Sequence, residues 1–140
     1  MIEAETGFFS RSGITTNADA IASGEGLPRT AATVSDVAGR AGVPLDSVVI
    51  RIIDDPEYIR YLDSQAANAT TPTELRGTEI HLGPAAFADE TMLARTLGHE
   101  WAHVLQLRRG VEVNSASLRG LESEAYAREQ QYINRLLGRE

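Results

Sequence analysis

The sequence predicts a small α+β domain, and three features predict it: short strand-like runs at residues 47–53 and 77–84, an amphipathic helical segment from Thr30 to Ala41, and two long helical patterns towards the C-terminus. With 140 residues, 42% of them hydrophobic and 24% charged, the chain suffices for one core and falls short of two typical domains.

The elements are taken in chain order. Residues 1–29 are rich in Gly, Ser, Thr and Asn, with "SGEGLP" as a breaker, and are expected to be an irregular wrap or linker ahead of a single domain at 30–140. Ala31, Val34, Val37, Ala38 and Ala41 recur at helical spacing, and Gly42 followed by Val43-Pro44 ends that helix. "SVVIRII" is rich in β-branched residues and is expected to be a largely buried strand. Asp54-Asp55 then turns the chain into a helix opened by Pro56. The small polar residues of "AANATTPTELR", 66–76, are expected to form a loop. In "GTEIHLGP", Ile80 and Leu82 share one face of a short strand while Glu79 and His81 share the other, and His81 is expected to be exposed. Asp89 is placed to cap a long helix that Gly110 stops near Arg109. The last helix is expected to run from Leu118 to Leu137, with Ser117 leading in and Gly138 just beyond.

Composition excludes several functions. A net charge of −7 and no basic patch argue against nucleic acid as a partner, and no apolar run is long enough to insert into a membrane. The N-terminus lacks the basic start and apolar stretch of a secretory signal, so the compartment stays open. With no cysteine, any metal must be held by His and carboxylates. All 13 basic residues are arginine, a bias ordinary for a GC-rich genome.

Chemistry concentrates in "TLGHEWAHVLQ", which holds two of the three histidines. On a helix, His99 and His103 project about 40° apart, one turn above the other, so both imidazoles reach one ion. Leu93, Leu97, Trp101, Val104 and Leu105 lie on the opposite side. Glu100 stands about 100° from His99, beside the pair, where its carboxylate reaches a water without ligating the metal. A catalytic zinc takes three protein ligands and leaves one position open. The third ligand is therefore sought among Glu122, Glu124 and Glu129 of the last helix. With Leu118 at zero, Glu122 lies near 40° and Glu129 near 20° on the inward face, whereas Glu124 lies near 240° and suits an i,i+4 pair with Arg128. Glu122, nearer the helix start, is preferred over Glu129.

"HEWAH" followed by "ExxA" at Glu122–Ala125 resembles the gluzincin-type HExxH zinc metallopeptidases. The stretch from Thr78 through Gly110, with "LESEAYA" behind it, looks like the peptidase domains at the C-termini of bacterial polymorphic toxins of the Rhs type. The resemblance implies a zincin-like domain at 30–140, with a short sheet on the HExxH helix and a ligand-bearing C-terminal helix. It also implies Zn2+ held by His99, His103 and Glu122, with Glu100 as general base. In place of the family's "xxAD", Tyr126 replaces the aspartate, leaving the group that orients a ligand histidine unassigned.

The expected activity is a zinc-dependent endopeptidase, a toxin or effector domain acting on a protein or peptide substrate. A larger delivery polypeptide upstream and a cognate inhibitor are the expected partners. Two alternatives are a non-catalytic metal-binding regulatory or structural module, and an autoprotease that releases itself from a larger precursor. The strand "TEIHL" is a candidate edge for an extended substrate. Tyr126 and Tyr132 are candidates for stabilising an oxyanion, with a core role the commoner one for helical aromatics. Gln106 suits either an orienting role beside His103 or the polar surface.

Overall fold

The computed structural model describes residues 8–10 and 15–139. Four strands form one sheet in the order β1 (Phe8–Ser10), β3 (Ala69–Thr71), β4 (Glu79–Leu82) and β2 (Val49–Ile52). β1 and β4 both run antiparallel to β3, and β2 runs parallel to β4. Helices α1 (Asn17–Ser23), α2 (Ala31–Ala41), α3 (Pro56–Ser64), α4 (Glu90–Arg108) and α5 (Ser115–Leu137) surround it, with short 3₁₀ turns at Thr73–Leu75 and Pro84–Phe87. The architecture is α+β, as the hydrophobic pattern predicts.

Local chemistry sets the helix ends. Thr30, Asp55 and Asp89 each accept a backbone N–H in the first turn of α2, α3 and α4. α5 starts at Ser115, three residues earlier than its apolar spacing indicates, because Asn114 and Ser117 form a reciprocal capping box. Gly42 and Gly138 close α2 and α5 in the left-handed conformation.

One core fills the space between the sheet and helices α2, α4 and α5, built from Val34, Val37, Ile80, Leu82, Phe87, Leu93, Leu97, Trp101, Val104 and Tyr132. On the other face of the sheet, Phe9, Leu62 and Ala67 form a smaller cluster beneath Tyr58. Strand alternation divides β1 between the two, with Phe9 in the smaller cluster and Phe8 stacked on a residue of α4.

Several sequence expectations are corrected. Within the expected wrap at 1–29, the described residues include regular structure: Phe8–Ser10 is a strand of the sheet, and Asn17 begins a helix with its side chain fully buried. Asn17 donates to Asp63 and to the Ala67 carbonyl and accepts the Ala85 N–H, which ties α1 to α3 and to the 3₁₀ turn before α4. Residues 1–7 and 11–14 of that expected wrap lie outside the described residues. The expected loop at 66–76 contains β3, whose small residues fit a buried site under α4. β2 is half-exposed rather than buried, since it pairs only with β4 and keeps Ile50 and Ile52 inward and Val49 and Arg51 outward. β4 lies inside the sheet between β3 and β2, so it offers no edge to a substrate. His81 is buried, bridging the Tyr58 hydroxyl at 2.6 Å and the Glu79 carboxylate at 2.8 Å.

α4 is buried around most of its circumference, and its contact with α5 is the most extensive between any two elements. The two approach most closely at Gly98, where a Cβ would stand 2.2 Å from the Tyr132 ring. Gly98→Ala is therefore expected to cost about 1–3 kcal/mol through overpacking. Gly39→Ala, whose Cβ would meet nothing within 4 Å, should be neutral or raise stability by about 0.5–1 kcal/mol. Thermal melts of the two variants beside the parent check this contrast.

Candidate metal centre

The two imidazoles of α4 and a carboxylate of α5 meet at one point. His99 Nε2 lies 3.2 Å from His103 Nε2, and Glu122 Oε1 lies 2.8 Å from the first and 2.9 Å from the second. Both rings are buried, and the Glu122 side chain is 16% exposed. Among the described residues this trio is the group whose ligand atoms converge tightly enough to hold a metal ion.

The chemistry of the donors fits a cation. Gln106 is fully buried, and its amide nitrogen donates to the Leu121 carbonyl at 3.0 Å and to Glu124 at 2.5 Å. Its oxygen therefore faces His103 Nδ1 at 2.8 Å, which must carry the hydrogen. His99 Nδ1 faces the Glu129 carboxylate, also at 2.8 Å, and must likewise donate. In neutral imidazoles with those tautomers, both Nε2 atoms present lone pairs to each other and to the Glu122 oxygen. Three acceptors converging in a buried space require a positive charge between them. Tetrahedral zinc with bonds of about 2.0–2.2 Å would separate neighbouring ligand atoms by about 3.3–3.6 Å, so the observed triangle of 2.8, 2.9 and 3.2 Å would need to open by a few tenths of an ångström to hold it.

Without a metal, a proton on His99 serves instead. Burial opposes that charge, but hydrogen bonds to Glu122 and Glu129 outweigh it and raise the imidazole to about 10. Burial likewise opposes ionisation of Glu122, but the two imidazoles it faces hold it down at about 2.

The structure separates the three glutamates left open by helical spacing. Glu122 reaches both Nε2 atoms. Glu129, two turns on, backs His99 from behind, taking the orienting role that Tyr126 cannot fill as the aspartate of the family pattern would. Glu124 lies outside the trio, bonded to Gln106 and near Arg109 and Arg128. Gln106 is an orienting residue rather than polar surface. Tyr132 packs in the core, and the Tyr126 ring lies edge-on to His99 with centroids 4.5 Å apart.

Glu100 faces the sheet. It is fully buried, its Oε1 accepts the Thr71 hydroxyl at 2.6 Å, and its Oε2 accepts the Ser10 hydroxyl. It remains near enough to His99 for its charge to favour the imidazolium. Phe8 stacks on the His103 ring with centroids 3.7 Å apart and planes 8° from parallel. Sequence reasoning misses Phe8, Ser10 and Thr71 entirely. No local motif marks a strand of three residues, and only the long-range pairing of β1 with β3 brings them to α4.

The orienting role of Gln106 has a measurable consequence. Gln106→Leu should leave the fold in place while lowering divalent-cation affinity by about 10–100-fold, as loss of a partner behind a ligand imidazole does. Competitive chelator titration of the variant and the parent measures the difference.

No curated protein and no solved structure shows a significant match to the chain. The family model of the eCIS (extracellular contractile injection system) core domain matches residues 28–111. That span takes in His99, Glu100 and His103 and stops short of the helix that carries Glu122. Covering more than half of the 140 residues, the match shows that this chain belongs to the eCIS core domain family.

Proposed function

We propose that this chain is a zinc-dependent peptide hydrolase and that it works as part of a larger injection-system polypeptide. The single observation that carries the reading is the convergence of His99 Nε2, His103 Nε2 and Glu122 Oε1 beside Glu100. His, His and carboxylate in that arrangement suit zinc. When bound, the ion supplies Lewis acidity towards a carbonyl and an acidified water. The chain's own residues do the rest. Glu129 and Gln106 hold the two imidazoles in the ligating tautomer. Glu100, once an oxygen is released from its hydroxyl donors, would take a proton from the attacking water and return it to the leaving amine. Family membership supports the injection-system context, and a toxin or effector role with a protein substrate is the finer form of the proposal. Among the described residues no helix is long and apolar enough to cross a membrane.

One observation favours a second reading, a closed metal centre without catalysis: both oxygens of Glu100 are engaged by hydroxyls, and Phe8 lies over His103. Glu100→Gln separates the two. If the chain is a hydrolase, the variant should keep its zinc by elemental analysis and lose about 10²–10⁴-fold in the cleavage of proteins read by proteome-wide mapping. A metal-loaded parent that cleaves nothing, under conditions that displace β1 as well, favours the closed centre.

The proton on His99 also sets a pH dependence. Zinc must displace that proton, so below about 10 its binding releases one proton, and affinity should rise about tenfold per pH unit between pH 7 and 9. An ordinary histidine site would level off near pH 6.5 to 7. Zinc titration against a chelator at several pH values measures this slope.

A further inference from the structure

The same three-residue strand covers both the proposed base and a proposed ligand. β1 is the end strand of the sheet, and it pairs antiparallel with β3 in the register Phe8 to Thr71, Phe9 to Thr70 and Ser10 to Ala69. Phe8 and Ser10, two residues apart, both point at α4. The first is fully buried with its ring flat against His103, and the second donates its hydroxyl to Glu100. With Thr71 on the other carboxylate oxygen, Glu100 has both oxygens occupied by hydroxyl donors. A base needs one of them turned towards a water. Ser10 of β1 therefore occupies an oxygen that a base would need free.

The geometry of β3 shows what else fits there. Its other side is paired with β4, so its outer N–H and C=O groups are met by β1 and would otherwise form an edge that accepts any extended chain. Side-chain selectivity would come from the two positions that β1 now fills, an aromatic ring on His103 and a small hydroxyl at Glu100. Losing β1 need not displace α1, the next element in the chain, because α1 is anchored separately through Asn17 to Asp63, Ala67 and Ala85.

We infer that β1 is a resident pseudosubstrate: it occupies a groove along β3 that binds extended polypeptide with an aromatic residue two positions before a small hydroxyl residue, and its displacement opens the site. This inference rests on the peptide-hydrolase reading for its consequence and on the strand geometry for the groove. Tethered in the same chain, β1 competes at an effective concentration of about millimolar, so a peptide offered in solution is excluded until β1 is weakened.

The test uses the full, zinc-loaded chain and a fluorescein-labelled peptide of residues 5–14, monitored by fluorescence anisotropy. Phe8→Asp combined with Ser10→Ala should bind the peptide at least about tenfold more tightly than the parent. A control peptide carrying the same two substitutions should not bind. Casein cleavage by the variant should rise by a similar factor. Tight binding without cleavage by any form would refute the hydrolase reading and leave the groove standing. Unchanged peptide affinity in a folded, zinc-loaded variant overturns the inference, as does a variant that no longer folds, since β1 would then be integral to the core. A second measurement needs no variant: in the parent, amide exchange at residues 8–10 should be at least about 100-fold faster than at residues 80–82. Equal protection overturns the inference.

Discussion

Everything at the site depends on how near α4 and α5 can come to each other. Gly98, with only a hydrogen where a side chain would stand, lets the Tyr132 ring lie against the backbone of α4 one residue before His99. That contact brings the middle turns of α5 alongside the histidines, so Glu122, Glu129 and the Leu121 carbonyl all come within hydrogen-bond distance of α4 side chains. Separating the helices by the thickness of a methyl group would take the carboxylate out of reach of both imidazoles. The buried polar atoms would then lack partners, and burial without partners is what cores avoid.

The site has two halves built by different means. The ligands come from a helix pair and are held by side chains of the same two helices, whereas Glu100 is held by hydroxyls from the sheet, Thr71 of β3 and Ser10 of β1. α4 is shared by both halves, and this explains why it is buried on nearly every side. The span matched by the family model contains β3, β4 and α4 and leaves out β1 and α5. The Ser10 contact and the Glu122 carboxylate thus come from outside the shared segment, one from each side of it.

Much of this is legible in residue order. The i,i+4 histidines, the cap at Asp89, Pro56 at its helix start and the stop at Gly110 are local signals, and each element they mark exists. The preference for Glu122 rests on helical spacing with a family resemblance, and seven residues separate it from Glu129, two turns on the same face. Helical spacing leaves both on the inward face, and only their contacts with His99 tell them apart. The strands are less legible. Three buried residues such as Ala69–Thr71 have no period to detect, and Thr70 and Thr71 read as loop because their hydroxyls satisfy the Phe8 carbonyl and Glu100 far along the chain. The interior place of β4 and the half-exposure of β2 depend on which strands pair, and hydrophobic spacing within one strand does not record its neighbours.

The two imidazoles are not equivalent. His99 leans on a full negative charge at Glu129, and His103 on the neutral amide of Gln106. A carboxylate behind the ring pushes electron density onto the ligating nitrogen more strongly than an amide does, so His99 is the firmer donor and His103 the more labile one. A cation held here would therefore rest more firmly on His99 and Glu122 than on His103.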